Sequence, residues 1–216
     1  MTQREIFIVG AGGFGREAAW TLDRLNGVNP AWRLLGFADD APEKASGTFA
    51  GYPLLGTVAD TARMHPTAAA FIAIGDNAVR EKISALLGAR DFPALVDPSA
   101  DVAPSAEIMP GAFVGPQAVV SVGARIGRFA IVNARSGIGH DTEVGDFAQI
   151  CPGATLSGNT TVGAFALVAS NACTVPGVKI GSWARISAGT PAYGDVADGA
   201  TLSPFGLLRP EARTLT

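Results

Sequence analysis

The sequence predicts an α/β unit followed by a parallel β-helix built from hexapeptides, and three observations predict that fold. An apolar residue recurs every six residues through residues 102–186, with only Thr174 off the pattern. Within the same stretch, a segment carrying an aromatic residue recurs every eighteen residues. Before the repeats begin, a short β-rich run leads into a glycine-rich loop and a helix-like segment.

The hexad repeat excludes the two ordinary secondary structures. A helix cannot hold a six-residue apolar period on one face, and a flat strand would show a period of two. A three-sided coil turns one apolar residue inward on each side, so the repeat predicts a parallel β-helix. A small residue, usually alanine, follows four places after most of the apolar ones. The inward positions are Val102, Ile108, Val114, Val120, Ile126, Val132, Ile138, Val144, Ile150, Leu156, Val162, Val168, Ile180 and Ile186.

The aromatic residues Phe129, Phe147, Phe165 and Trp183 are spaced by eighteen residues, which is three hexads and therefore one full coil. They should stack, one per coil, at about the ~4.8 Å spacing of neighbouring strands. Two interpretations stay open. The stack could shield one edge of the coil, or it could form a subunit contact, because aromatic side chains are enriched in interface cores.

The N-terminal segment predicts a strand over residues 6–9, a glycine loop over 10–15 and a helix over 16–25. The loop fits G-x-G-x-x-G, whose glycines permit a tight turn and let backbone N–H groups approach a diphosphate at the positive end of the helix. A structural turn is the alternative. The candidate ligand-binding residues of this loop are Gly10, Gly12, Gly13, Phe14 and Gly15.

The second predicted strand, residues 34–37, ends before Asp39 and Asp40, where an acidic side chain could accept hydrogen bonds from a ribose or a base. A turn at 52–56, a helix over 57–64 and a buried strand over 69–74 follow. The next helix covers 78–87 and a last short strand 93–96.

That order places Gly75, Asn77 and Arg80 at the carboxyl end of a parallel strand, beside the glycine loop, where α/β sheets bind ligands. Arg80 could equally be a solvated helix residue. The α/β unit is about half the size of a dinucleotide-binding domain. A dehydrogenase is therefore disfavoured, and a mononucleotide carrying another group fits better.

Composition narrows the class of protein. With 216 residues and 48% apolar content, the chain can hold two modest domains. The net charge of −3 and the lack of a basic run give no electrostatic footprint for nucleic acid. No apolar stretch approaches ~20 residues, and no signal-like N-terminus is present. We therefore expect a soluble, cytoplasmic protein that binds neither nucleic acid nor membrane.

His140 is the one histidine inside the repeat, two places after the inward-facing Ile138, and should be exposed near a corner. Histidine exchanges protons near neutral pH, which makes it a natural general base. Asp141 could orient the ring or be an ordinary turn carboxylate. Gly158 follows His140 by one coil, and its N–H could hold a developing oxyanion. Alternatively, Gly158 only fits a tight corner.

The chain resembles the bacterial nucleotide-aminosugar acetyltransferases, which join a Rossmann-like N-terminal domain to a left-handed hexapeptide β-helix. Relatives in that family include the bacillosamine-pathway and perosamine N-acetyltransferases and the sialic acid O-acetyltransferases. The resemblance covers nearly the whole chain. It is carried by residues 10–15 (GAGGFG), 36–40 (GFADD), 73–77 (AIGDN), Asn133, His140 with Asp141, and 145–147 (GDF).

The resemblance implies a homotrimer with acetyl-CoA in the groove between neighbouring β-helices. It also implies that the Rossmann-like domain, residues 1–97, binds a sugar nucleotide and that residues 98–216 form the acyltransferase domain with a C-terminal tail. By matched position, His140 would take a proton from the sugar amine, Asn133 would be a nearby polar contact, and Gly158 would face the thioester carbonyl. Gln149 stands where relatives often have a second histidine and would contact the acceptor.

The sequence therefore predicts an acetyl-CoA-dependent N-acetyltransferase that acts on a nucleotide-linked amino-deoxysugar. Two alternatives stay open: a sugar O-acetyltransferase of the sialic acid type, and a non-catalytic nucleotide-sugar-binding scaffold. A γ-type carbonic anhydrase on the same fold needs three histidines on a metal, whereas this chain has two, one outside the repeat. No metal site is expected.

Overall fold

The computed structural model describes residues 3–44 and 46–208, and the chain divides between Pro98 and Ser99 into two compact units. The predicted fold class is confirmed: a helix-and-strand unit precedes a left-handed parallel β-helix. Residues 209–216 of the predicted C-terminal tail lie outside the described residues. No helix in the described part of the chain is long and apolar enough to span a membrane.

The first unit is built on a parallel sheet in the order β2-β1-β5. Its elements are β1 (Arg4–Val9), α1 (Gly13–Val28), β2 (Trp32–Ala38), a 3-10 helix (Pro42–Lys44), β3 (Thr48–Phe49), β4 (Tyr52–Pro53), α2 (Val58–Met64), β5 (Ala69–Ile72), α3 (Asn77–Leu87) and β6 (Leu95–Val96). Strand β1 is central, and its residues from Ile6 onward are fully buried. A continuous apolar run of this kind is typical of a parallel strand covered on both faces.

Because β1, β2 and β5 run in the same direction, the loops that follow them meet at one edge of the sheet. Gly10, directly after β1, has a φ of +102°, and a Cβ atom there would lie 2.8 Å from the carbonyl oxygen of Ala73. Only glycine fits that approach. The loops that follow β1 and β5 are therefore in direct contact.

The β-helix stacks two-residue strands into three faces, and each strand up to residue 174 pairs in parallel with the strand eighteen residues later. The first face contains β7 (Asp101–Val102), β10 (Val119–Val120), β13 (Gly137–Ile138), β16 (Thr155–Leu156), β19 (Cys173–Thr174) and β22 (Pro191–Ala192). The second contains β8 (Glu107–Ile108), β11 (Arg125–Ile126), β14 (Glu143–Val144), β17 (Thr161–Val162) and β20 (Lys179–Ile180). The third contains β9 (Phe113–Val114), β12 (Ile131–Val132), β15 (Gln149–Ile150), β18 (Leu167–Val168) and β21 (Arg185–Ile186), and it ends in the hairpin β23 (Thr201–Ser203) and β24 (Gly206–Leu208).

From Gly111 to Gly189, each corner of the coil places the fourth residue of a hexad in the left-handed backbone region. Glycine occupies some of these positions, such as Gly123 at φ +69°. Others carry side chains, as at Arg135 (φ +59°) and Asp141 (φ +54°). The left-handed conformation is unfavourable for residues with a Cβ atom. The corners without glycine therefore hold backbone strain that neighbouring contacts must offset.

The aromatic residues occupy this left-handed position along one corner, between the second and third faces. The predicted stack is present. Ring centroids of Phe129 and Phe147 lie 5.1 Å apart, those of Phe147 and Phe165 lie 5.2 Å apart, and those of Phe165 and Trp183 lie 4.3 Å apart, all near parallel. Aromatic pairs of this kind contribute about 0.5–1.5 kcal/mol each beyond the area they bury. Stacking therefore offsets the strain at these corners, and a role in subunit contact stays a prediction.

Phe147→Gly should be more stable than Phe147→Ala, by about 0.5–1 kcal/mol, because both variants lose the stack but only glycine relieves the strain at φ +59°. Urea denaturation of both variants measures the difference. At Leu167, an ordinary strand position, we expect the reverse order, since glycine in a strand loses about 0.5–1 kcal/mol relative to alanine. If alanine is the better residue at both positions, the aromatic corner is not strained.

Candidate active site

His140 lies at the corner between β13 and β14, and its side chain is 57% exposed. Its Nδ1 atom is 3.0 Å from Oδ2 of Asp141, the left-handed residue of the same corner. A carboxylate accepts hydrogen bonds but does not donate them, so it favours the tautomer with the proton on Nδ1. The Nε2 atom is then left unprotonated and able to accept a proton.

The imidazole of His140 packs directly on Gly158 in the next coil. A Cβ atom at Gly158 would lie 2.5 Å from Cε1 of the ring, so no larger residue fits beneath it. Gly158 is buried beneath this ring. Within residues 3–44 and 46–208, no acceptor lies at hydrogen-bonding distance from the Gly158 N–H. The corner therefore combines a proton acceptor with an unused amide donor.

Gly139 also borders this amide, because a Cβ atom at Gly139 would lie 2.5 Å from the Gly158 nitrogen. The absence of a side chain at residue 139 keeps the amide nitrogen clear on that side.

Asn133 and Gln149 do not join His140 within one chain. Asn133 follows β12 at the corner between the third and first faces, and its Oδ1 accepts a hydrogen bond from the Ala134 N–H at 2.7 Å. Gln149 belongs to β15 on the third face. The predicted catalytic set thus divides into a cluster of His140, Asp141 and Gly158 and a separate pair on another side of the coil.

An open groove of about 400 Å³ runs along the second face beside Asp141. The charged groups lining it are the carboxylates of Asp141, Glu107 and Glu143 and the guanidinium of Arg125. Ser105, Gly123 and Ala124 complete the lining. The groove therefore presents more negative than positive side chains next to the His140 corner.

In the first unit, the predicted glycine loop leads directly into α1. Gly12 precedes the helix with no side-chain cap, and the first turn carries no acidic residue. A Cβ atom at Gly12 or Gly13 would meet nothing within 4 Å, whereas one at Gly15 would collide with the carbonyl oxygen of Gly10. Gly15 therefore permits close helix-to-strand packing. Gly12 and Gly13 leave open space at the positive end of the helix, where an anion can bind.

Phe14, the remaining loop residue, packs edge-on against Phe71 in β5, with ring centroids 6.2 Å apart. Its side chain therefore anchors the loop to the sheet.

The carboxylate of Asp39 binds the backbone of the glycine loop and of the loop that follows β2. It accepts hydrogen bonds from the N–H groups of Ala11 at 2.7 Å and Ala41 at 3.0 Å, and it pairs with Lys44 at 3.1 Å. Burial alone would raise the pKa of Asp39, but these hydrogen bonds and the Lys44 charge outweigh burial and lower it. The stabilisation is therefore present above the pKa of an unfolded aspartate and is lost as pH falls through the folded value.

Asp40 and Arg80, two of the predicted ligand-binding residues, make hydrogen bonds within the first unit itself. Asp40 accepts a hydrogen bond from the Val58 N–H at 2.9 Å and so caps α2. Arg80 is only 1% exposed and donates to the carbonyl oxygens of Ile74 at 2.9 Å and Gly75 at 3.0 Å. Burial lowers its pKa to about 10, partly opposed by Asp76. The prediction that Arg80 touches the substrate is corrected, because its guanidinium is turned inward and shapes the loop.

The Gly75 loop itself keeps its predicted position. Gly75 is exposed at the carboxyl end of β5, and the Asn77 side-chain oxygen accepts a hydrogen bond from Arg80 at 3.1 Å. Both residues lie at the sheet edge that the glycine loop occupies.

Sequence reasoning missed a cluster of buried hydroxyl groups beneath Gly158, formed by Thr142, Ser157, Thr160 and Thr174. The available signal was a break in the repeat. Thr142 and Thr160 stand where most hexads have alanine, and Thr174 stands where the others have an apolar residue. Among the described residues, no group of three or more His, Cys, Asp or Glu side chains could hold a metal ion.

Comparison with known proteins matched residues 5–87 to the family model of the PglD N-terminal domain. The acetyltransferase domain of PglB from Neisseria gonorrhoeae, solved in complex with acetyl coenzyme A, is 30% identical with a TM-score of 0.85. The match covers 97% of this chain and 100% of that one. No match was found among curated proteins.

PerB from Caulobacter crescentus, solved with CoA and GDP-perosamine, is 25% identical with a TM-score of 0.83, over 91% of this chain and 92% of that one. A mutant of perosamine N-acetyltransferase from the same organism shares the fold at 24% identity and a TM-score of 0.86, over 94% and 95% of the two chains.

Proposed function

The chain belongs to the family of nucleotide-aminosugar N-acetyltransferases with a left-handed β-helix, and we propose that it acetylates the amino group of a nucleotide-linked amino sugar. It is an acetyltransferase that uses acetyl-CoA as its co-substrate. One observation carries the proposal: His140, held by Asp141 through Nδ1, packs against the unused amide of Gly158. The complexes of the PglB domain with acetyl coenzyme A and of PerB with CoA and GDP-perosamine support it.

In the proposed reaction, His140 Nε2 takes a proton from the sugar amine as its nitrogen attacks the thioester carbonyl carbon. The developing oxyanion accepts a hydrogen bond from the Gly158 N–H, and Asp141 stabilises the imidazolium through Nδ1. Collapse of the tetrahedral species breaks the carbon–sulfur bond, and the imidazolium returns its proton to the leaving thiolate. The proposal requires the exposed His140 ring to shift off Gly158, so that the amide can reach the carbonyl oxygen.

The groove beside Asp141 supports an amine as the acceptor. Its carboxylates, Glu107 and Glu143 among them, outnumber its single guanidinium, that of Arg125. An amino sugar in water is an ammonium ion, which a surplus of negative charge attracts, and it releases one proton to solvent before the neutral amine attacks. A hydroxyl acceptor would gain nothing from that charge.

The glycine loop is proposed to hold the diphosphate of the sugar nucleotide. The support is the start of α1, which has no side-chain cap and where Gly12 and Gly13 leave room for an anion at the positive end of the helix. A turnover screen with acetyl-CoA and UDP-, GDP- and dTDP-linked amino sugars, scored for amide product, tests the substrate class.

A homotrimer is proposed because the predicted catalytic and acceptor-binding residues lie on different sides of one coil. His140 lies at the corner between the first and second faces, whereas Asn133 and Gln149 lie at or on the third face. These groups diverge within one coil, so a site that uses both must draw them from two copies. Closed ring symmetry gives every copy the same pair of contacts.

His140→Ala should lower kcat by about 10²-fold or more with little change in either KM, because a positioned base acts mainly in the transition state. Asp141→Asn should lower kcat less. Steady-state kinetics at neutral pH measure both. His65→Ala is the matched control, since within the described residues the hydrogen bonds of that other histidine involve only its backbone. Near wild-type kcat in His140→Ala would refute general-base catalysis by this residue.

Gly12→Val should raise the KM for the sugar nucleotide by about 10-fold and leave that for acetyl-CoA unchanged, because the new side chain fills only the space proposed for the diphosphate. Gly27→Val places the same side chain in open space near the end of α1 and should change neither KM. A rise in the KM for acetyl-CoA alone would reverse the assignment of the two ligands.

Mixing His140→Ala with an Asn133→Ala/Gln149→Ala variant, after subunit exchange, should restore activity at about one quarter of the sites, because a shared site needs one intact half from each copy. Each variant alone should be nearly inactive. Sedimentation at micromolar concentration should show no appreciable monomer. If the mixture is no more active than its components, the two groups do not meet between copies.

A further inference from the structure

We propose that Thr142, Thr160 and Thr174 are positioning residues that aim the Gly158 N–H at the reacting carbonyl, an inference that rests on the proposed function. None of the three is placed to touch a substrate: Thr142 and Thr160 are 0% exposed and Thr174 is 6% exposed. Thr142 and Thr160 bind the peptide unit between Ser157 and Gly158, and Thr174 supports it through the Ser157 N–H and through Thr160.

The hydroxyl groups form a closed ring of hydrogen bonds around Ser157. Its N–H donates to Thr174 Oγ1 at 3.0 Å, and its carbonyl oxygen accepts from Thr160 Oγ1 at 2.7 Å. The two threonine oxygens lie 3.0 Å apart. A hydroxyl has one proton, and that of Thr160 is used on Ser157, so Thr174 must donate to Thr160. The ring then runs in one direction, which strengthens each bond in it.

Two further bonds fix Ser157 in place. Thr142 Oγ1 donates to the same carbonyl oxygen at 3.1 Å, and Ser157 Oγ donates to the Thr174 carbonyl oxygen at 2.6 Å. The Ser157 carbonyl is therefore held toward the interior of the coil by two buried hydroxyl groups.

Because the peptide bond is planar, the direction of the Ser157 carbonyl fixes the direction of the Gly158 N–H. The carbonyl of Ser157 and the N–H of Gly158 belong to the same peptide plane and point in opposite directions. Holding the oxygen inward therefore directs the N–H outward, on the side where the His140 ring packs. An oxyanion donor is effective only if its direction is fixed before the reaction.

This arrangement replaces the regular ladder of the β-helix at one place. Elsewhere the N–H after an inward residue donates to a backbone carbonyl of the next coil, as Gly139 does to Leu156 and Cys151 to Val168, both at 2.8 Å. At Ser157 the acceptor is the hydroxyl of Thr174, and β16 pairs with β19 only through Thr155 and Cys173. The off-pattern threonine in the repeat thus coincides with a local change in the backbone directly beneath the proposed oxyanion donor.

The chain offers a matched control at a neighbouring corner. Ser136 is buried, and its hydroxyl donates to the Cys151 carbonyl at 3.0 Å, across the same fifteen-residue separation as Thr142 and Ser157. The peptide that it fixes leads into Pro152, which has no N–H. Ser136→Ala therefore removes an equivalent hydrogen bond without affecting any donor.

The test compares Thr142→Val/Thr160→Val, which removes both hydroxyl groups at nearly constant shape, with Ser136→Ala and with Thr142→Ser/Thr160→Ser. The probe reaction uses acetyl-CoA and GDP-perosamine, or whichever UDP- or dTDP-linked amino sugar turns over fastest. We expect the valine pair to lower kcat about 10-fold or more, with each KM within about 2-fold, because a misaligned donor weakens only the transition state. The serine pair should restore most of the loss, and Ser136→Ala should leave kcat unchanged.

The pH dependence of kcat/KM separates positioning of the amide from damage to the base. Its midpoint should stay at the wild-type value in the valine pair, because His140 and Asp141 are unchanged. If the double variant unfolds, Thr142→Val alone serves as the test. It removes one of the two hydroxyl hydrogen bonds to the Ser157 carbonyl oxygen, whereas Thr160 keeps the other. We then expect kcat to fall about 3-fold or more.

The inference would be overturned if the valine pair had the same kcat as Ser136→Ala, or if the serine pair did not restore the lost kcat. Either result would leave the proposed function intact. Wild-type enzyme without amide product, or His140→Ala with full kcat, would instead overturn the proposed function. Running wild type and His140→Ala in parallel distinguishes the two failures.

Discussion

The left-handed residue at the corners from Gly111 to Gly189 is the constraint on which the β-helix depends. It turns the chain after every two-residue strand, so that three turns close one coil and the next coil begins in register eighteen residues later. Where the residue is not glycine, contacts between coils offset the strain, as the stacked rings of Phe129, Phe147, Phe165 and Trp183 do.

The same register builds the catalytic corner. Because coils are stacked directly, His140 lies over Gly158, and its ring occupies the space that a side chain there would need. Asp141 takes the left-handed position of its own corner and holds Nδ1. The proposed base, its proposed orienting carboxylate and the proposed amide donor are therefore brought together by backbone geometry that repeats throughout the fold.

The first unit uses its charged residues mainly to shape loops. Asp39 binds the backbone of the glycine loop through Ala11, and Arg80 gathers the carbonyls of Ile74 and Gly75. A buried guanidinium is stable there because several carbonyl oxygens share its protons. Both side chains therefore bind loop backbone at the sheet edge where Gly12 and Gly13 leave open space.

The sequence by itself determined the β-helix, the coil length, the aromatic stack and the approach of His140 to Gly158, because each follows from a period that local backbone geometry imposes. It also determined the strand, loop and helix at the N-terminus. Only the tertiary structure decided which way Arg80 turns, what Asp39 binds and why Thr174 breaks the repeat. These outcomes depend on hydrogen-bond partners supplied by other segments of the chain, and a buried polar group takes whichever partner packing brings within reach.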